Sequence, residues 1–95
     1  MKKLKQGWVE GSVKEFLGLS EADMAYIETR RALSRRLKAE RQKQHLTQTE
    51  LATRLKTSQS RVAKMEQGDP TVSLDLLIQS LYRVGMTRKS VAAAM

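Results

Sequence analysis

TQTELATRLKTSQSRVAKME, residues 47–66, decides the fold. It reads as two short helices with a tight turn between them, the first over Thr47–Lys56 and the second over about Ser58–Gln67. Leu51, Ala52 and Leu55 mark the buried side of the first. Val62 and Met65, three apart, mark that of the second, as helix geometry requires. The outward face of the second helix carries Gln59, Ser60, Arg61 and Lys64, hydrogen-bonding side chains without an acid among them. Those are the groups needed to read base edges and hold phosphates.

The rest of the chain agrees with one small domain. Ninety-five residues, 40% hydrophobic but only 4% aromatic, allow one core built mostly of Leu, Val, Met and Ala. With no cysteine there is neither a disulfide framework nor a thiolate metal site, and the single His45 makes neither a metal site nor a charge relay by itself. No cofactor is expected. The basic start MKKLKQGW is not followed by an apolar signal core, and no run reaches the roughly 20 residues of a membrane span. A cytoplasmic protein is expected, with no membrane partner.

The net charge of +8 is unevenly placed. From Arg30 to Lys64 there are eleven Lys and Arg against two acids, Glu40 and Glu50, whereas Glu10, Glu15, Glu21, Asp23 and Glu28 lie earlier. Such asymmetry suits a surface that meets a polyanion, although charge alone equally describes an inert solvated face. The motif has to decide.

Upstream of the motif, residues 1–11 show no sustained period, and a loosely held arm is expected, with Trp8 and Val9 docking on the domain or on a partner. Ser12–Leu19 allows a short helix with Val13, Phe16 and Leu17 on one side, ended by Gly18. Ser20 is an N-cap, with Glu21 and Asp23 in the first turn, for a long helix to about Gln44. Met24, Ile27, Leu33 and Leu37 fit one apolar face beside Tyr26; Arg30, Arg31, Arg35, Arg36, Lys38, Arg41 and Lys43 cover most of the rest. That arginine-rich face is expected to meet solvent and a few flanking phosphates. The connection Gln44-His45-Leu46 places Leu46 inside and His45 in solvent.

Thr47 and Glu50 have the spacing of a capping box. Downstream, Gly68-Asp69-Pro70 stops the second motif helix. Ser73 caps an amphipathic helix from Leu74 to about Val84, with Leu74, Leu77, Ile78 and Leu81 on one face and Gly85 closing it. Thr87 caps a short final helix, Arg88–Met95, with a weak apolar strip of Val91, Ala92 and Met95. Met86, Val91 and Met95 form either a covered edge of the core or a dimer surface, the second being favoured. No strand pattern occurs, so the fold class is all-α.

The sequence resembles the Xre family of helix-turn-helix regulators, the group of phage Cro and phage repressors. The likeness covers Leu33 to about Gly85 and rests on LTQTELA at 46–52, SQSRVAKME at 58–66, Gly68, and SLDLL at 73–77. It implies a compact five-helix bundle, here with a short N-terminal helical extension, whose third helix lies in the major groove. It divides the chain into an arm over residues 1–20 and a DNA-binding domain over 21–95, with the motif at 47–67.

Carried over by position, Gln48 resembles the glutamine that contacts a phosphate and braces the recognition helix. Gln59, Ser60 and Lys64 fall where bases are read: Gln pairs bidentately with adenine, and Lys donates to guanine O6 and N7. Ser58 and Arg61 are better placed for phosphates. Glu66 matches a structural acid near the end of the recognition helix, with Arg54 as a candidate partner. One position departs from the pattern: Lys56 stands where a glycine is usual because φ is often positive. We read it as a tolerated variant costing on the order of 1 kcal/mol and supplying a further phosphate contact.

The EFLGLS leader and the long first helix resemble the HigA-type antitoxins within this group. That likeness implies a homodimer on double-stranded DNA, repression of the protein's own operon, and a basic RelE-like toxin as partner. A stand-alone repressor and an RNA-binding helix-turn-helix protein remain the alternatives. An enzyme is not expected: a single histidine, no cysteine, no glycine-rich phosphate loop and no converging pair of acids leave no catalytic constellation.

Overall fold

A computed structural model describes residues 18–95, which form five α-helices and no strand. They are α1 (Glu21–Lys43), α2 (Gln48–Leu55), α3 (Gln59–Gln67), α4 (Leu74–Arg83) and α5 (Arg88–Ala94). The short helix expected over Ser12–Leu19 and the docking of Trp8 and Val9 fall on residues that lie outside or at the edge of the described range.

Each helix begins where a hydroxyl can accept an otherwise orphaned N–H. Ser20, Thr47, Ser58, Ser73 and Thr87 are the five N-caps, all with extended backbone and side chains accepting from the residue three positions on. Two of these are capping boxes of the Ser/Thr–acid kind. Thr47 Oγ1 accepts from Glu50 N at 3.0 Å while Glu50 Oε1 accepts from Thr47 N at 2.8 Å, and Ser20 and Asp23 make the same exchange. The expected helices therefore hold, with their ends moved by about one residue to make room for the caps.

The core joins all five helices. Leu33 and Leu37 of α1, Leu51, Ala52 and Leu55 of α2, Val62 and Met65 of α3, and Leu77 and Leu81 of α4 are buried together. Val72, Val84, Met86 and Val91 complete the cluster, and Leu46, Leu74 and Ile78 pack on its edge, half-buried. Met86 and Val91 are thus core residues rather than an open surface, which corrects the favoured reading. The final helix is too short to cover the cluster unless both turn inward. Ala92 and Met95, by contrast, stay exposed. On α1, Met24 and Ile27 are only half-buried, so the buried stripe is centred on Leu33, Ser34 and Leu37.

The ends of α2 and α3 share the left-handed backbone but not the residue. Gly68, φ 73°, ends α3, and a Cβ there would sit 3.7 Å from the buried Ser34 Oγ of α1, so α1 and α3 approach closely at this point. Lys56, φ 58° and ψ 48°, ends α2 in the conformation a glycine favours.

Candidate nucleic-acid interface

The base-facing candidates lie on α3, and α3 is held by a chain of polar contacts running out from the core. At its inner end Arg41 meets Glu66 in a paired, two-pronged contact: Nε to Oε2 at 2.6 Å and Nη2 to Oε1 at 3.0 Å. The Glu66 side chain is 2% exposed and that of Arg41 12%, so the pair sits in a low-dielectric setting where charge-assisted bonds are strongest. The bond to Glu66 raises the pKa of Arg41 still further, outweighing the opposing effect of burial. Arg41 Nη1 also donates to Leu46 O at 2.8 Å, which fixes the link between α1 and α2.

Outward from Glu66 the chain continues through two carboxamides. Gln48 Nε2 donates to Glu66 Oε1 at 3.1 Å, and Gln59 Nε2 donates to Gln48 Oε1 at 2.6 Å. The first residue of α2 and the first residue of α3 are thereby tied to each other and to the buried pair. This corrects the partner expected for Glu66. Arg54 instead donates to Gln44 Oε1 at 2.8 Å, and Gln44 Nε2 reaches Val84 O at 2.7 Å. Arg54 lies on the exposed side of α2 and Glu66 on the inner side of α3, so they do not face one another.

The solvated arginine face of α1 needs the same correction at two positions. Arg41 turns inward, as above. Arg30 donates through Nη2 to Val72 O at 2.6 Å and Asp69 O at 3.0 Å, clamping the loop between α3 and α4 onto α1. Its guanidinium carbon lies 5.8 Å from the centre of the Tyr26 ring, a cation–π contact. Arg36 pairs with Glu40 at 3.5 Å, while Arg31, Arg35, Lys38 and Lys43 are exposed as expected.

The remaining site candidates are exposed. Ser58, Ser60, Arg61 and Lys64 line one side of a concavity completed by Thr71 and Val72. Ser58 Oγ accepts from Arg61 N at 3.1 Å, which leaves its hydroxyl hydrogen free to donate outward. Across the concavity, Thr71 donates from its hydroxyl at 2.6 Å and its amide at 2.8 Å to Asp69 Oδ1. Those bonds, with the nearby charges of Lys64 and Arg30 adding in the same direction, hold the Asp69 carboxyl below the usual carboxylate range. Lys56 is exposed at the turn between α2 and α3. The structure therefore gathers Gln48, Gln59 and Glu66 into one chain and Ser58, Ser60, Arg61 and Lys64 into one surface.

Sequence reasoning missed Arg41 and Arg30, whose positions on α1 fall just beside the apolar stripe. Arg30 is three residues before Leu33 and Arg41 four after Leu37, spacings that place both on the buried side, so the signal was there.

Among the described residues no group of His, Asp and Glu could hold a metal ion, and no helix is long and apolar enough to cross a membrane. No curated protein and no solved structure matches the chain. Residues 37–79, from the last turns of α1 through most of α4, match the family model described as Helix-turn-helix. The capped pair α2–α3 lies inside that match, which supports reading the two helices and the turn between them as a helix-turn-helix unit.

Proposed function

We propose that the protein is a sequence-specific regulator of transcription, acting as a repressor, that inserts α3 into the major groove of double-stranded DNA. The observation carrying this reading is the placement of Gln59, Ser60, Arg61 and Lys64 on the exposed, acid-free side of a helix whose other side is locked to α1 and α2. A helix is about 10–12 Å across with its side chains, which the major groove, roughly 12 Å wide, admits.

In this reading Gln59, Ser60 and Lys64 contact bases. Ser58, Arg61, Lys56 and Gln48 contact phosphates, Gln48 through whichever hydrogen its two partners leave free. The unpaired N–H groups at the start of α3 favour an anion there. Residues 21–95 are the DNA-binding unit. The protein acts in the cytoplasm as a homodimer, because three base-reading side chains specify too little sequence for one copy to select an operator. Ile78, Tyr82 and Met95, around the groove between α4 and α5, are the apolar surface available to a second copy, Tyr82 being 42% and Met95 56% exposed.

The test compares affinities across sequences. Gln59→Ala and Lys64→Ala should each cost about 1–3 kcal/mol on the preferred duplex and relax preference at one position. Gln48→Ala should weaken binding to all duplexes through the lost phosphate contact, leaving preference intact at every position except the one Gln59 reads, where Gln59 loses the carbonyl that orients it. Equal losses on every sequence for Gln59→Ala and Lys64→Ala would reassign them to phosphates. The antitoxin reading rests on the leader sequence and has its own test: co-purification with the product of an adjacent gene, whose absence leaves the stand-alone repressor.

A further inference from the structure

We propose that Glu66, out of reach of the groove, is a positioning residue that sets which base Gln59 prefers; this rests on Gln59 being a base reader, as proposed above. The inventory of donors and acceptors dictates this role. Both Glu66 oxygens accept from Arg41, and a carboxylate has no hydrogen to give. Gln48, 3.1 Å away, must therefore turn its NH₂ toward Glu66 and its carbonyl oxygen toward Gln59. That oxygen only accepts, so Gln59, 2.6 Å away, must turn its own NH₂ toward Gln48. One N–H of Gln59 is used, leaving its oxygen and its second N–H for DNA.

An acceptor beside a donor matches adenine, which shows an N7 acceptor and an N6 donor in the major groove. It mismatches guanine, whose N7 and O6 both accept. The buried carboxylate thus selects adenine over guanine through two side chains, without touching either base. The shape of α3 sets where Gln59 reaches; the polarity of the chain sets what it accepts there.

Replacing the carboxylate by an amide reverses the chain. In Glu66→Gln the new carbonyl oxygen keeps the shorter of the two Arg41 bonds, that from Nε at the Oε2 position, so its NH₂ takes the Oε1 position, gives up the bond from Nη2 and faces Gln48. Gln48 then turns over, Gln59 turns over after it, and Gln59 presents two donors outward, the pattern guanine accepts.

The experiment measures the ratio of affinities for duplexes carrying adenine or guanine at the position that Gln59→Ala identifies. The intact protein should prefer adenine by roughly 5- to 150-fold, the range of one good bidentate pair. Glu66→Gln should erase or invert that ratio, and Gln48→Leu, which cuts the chain at a half-buried site outside the core, should bring it to within about threefold. Gln48→Leu keeps the test decisive if Glu66→Gln folds poorly. An adenine preference unchanged in Gln48→Leu, with only a uniform loss of affinity, overturns the proposal and leaves Glu66 a purely structural partner of Arg41. If the intact protein shows no Gln59-dependent position, the base-reading assignment fails first and this inference with it. That case is recognised before any substitution in the chain is made.

Discussion

The two sides of α3 carry similar side chains and use them in opposite ways. On the inner side, the Glu66 charge is consumed by Arg41 and Gln48 in holding the helix, and the exposed Gln59 reaches back to Gln48 with one N–H while keeping its oxygen and second N–H outward. On the outer side, Ser60, Arg61 and Lys64 are exposed along a concavity with no opposing carboxylate on their own helix. The difference is one of solvation. A buried ion is stable only when fully paired, whereas an exposed one keeps its water until a partner displaces it. The inner set therefore governs stability and orientation, and the outer set governs what the surface binds.

Substitutions on the two sides should separate along that line. The largest effect is expected from Arg41→Ala, which strands Glu66 and frees Leu46 O. Chemical unfolding should show a loss of about 3–5 kcal/mol, against less than about 0.5 kcal/mol for Arg31→Ala on the exposed side of the same helix. Arg61→Ala should do the reverse. Unfolding should be nearly unaffected, while the salt dependence of binding should lose about one unit of slope, the signature of one phosphate contact.

The turn between the motif helices sharpens the comparison from the opposite direction. Lys56→Gly relieves a left-handed non-glycine residue and should stabilise the fold by about 1 kcal/mol, read as a rise of several degrees in thermal midpoint. The same change should weaken DNA binding if Lys56 holds a phosphate. A gain in stability without any loss of affinity would leave Lys56 a bystander.

The smallest effect concerns pH. Asp69 has its pKa lowered by Thr71, so its contribution is present above the usual carboxylate value, near 3.9, and is lost only as pH falls through the lower folded value. Unfolding of the intact protein and of Asp69→Asn should differ by a constant amount at neutral and mildly acidic pH and converge only in strong acid. Convergence at pH 5 or above would contradict the assigned contact.

Much of the fold was legible because its signals are local. A hydroxyl at Ser20, Thr47, Ser58, Ser73 and Thr87 starts each helix, and apolar residues three and four apart mark each buried side. The contacts of the long side chains were less legible. Arg30 looks like its neighbour Arg31 in the sequence, yet it bonds to backbone oxygens 39 and 42 residues away. Arg54 is the partner the sequence suggests for Glu66, but the crossing of α1 with α3 brings Arg41 to it instead, while Arg54 bonds to Gln44. The proposed base-reading face lies between these cases. Its residues follow from spacing, but the tie between Gln48 and Gln59 depends on how α2 and α3 are set against each other.

The central claim, that α3 reads DNA sequence, is tested most directly by selecting binding sites from a pool of randomised duplexes with the full chain. Enrichment of a two-fold symmetric site is expected, its half-sites about 34 Å, one helical turn, apart, with loss of that enrichment in Gln59→Ala combined with Lys64→Ala. A pool that remains random after repeated selection, despite tight salt-sensitive binding, would contradict it.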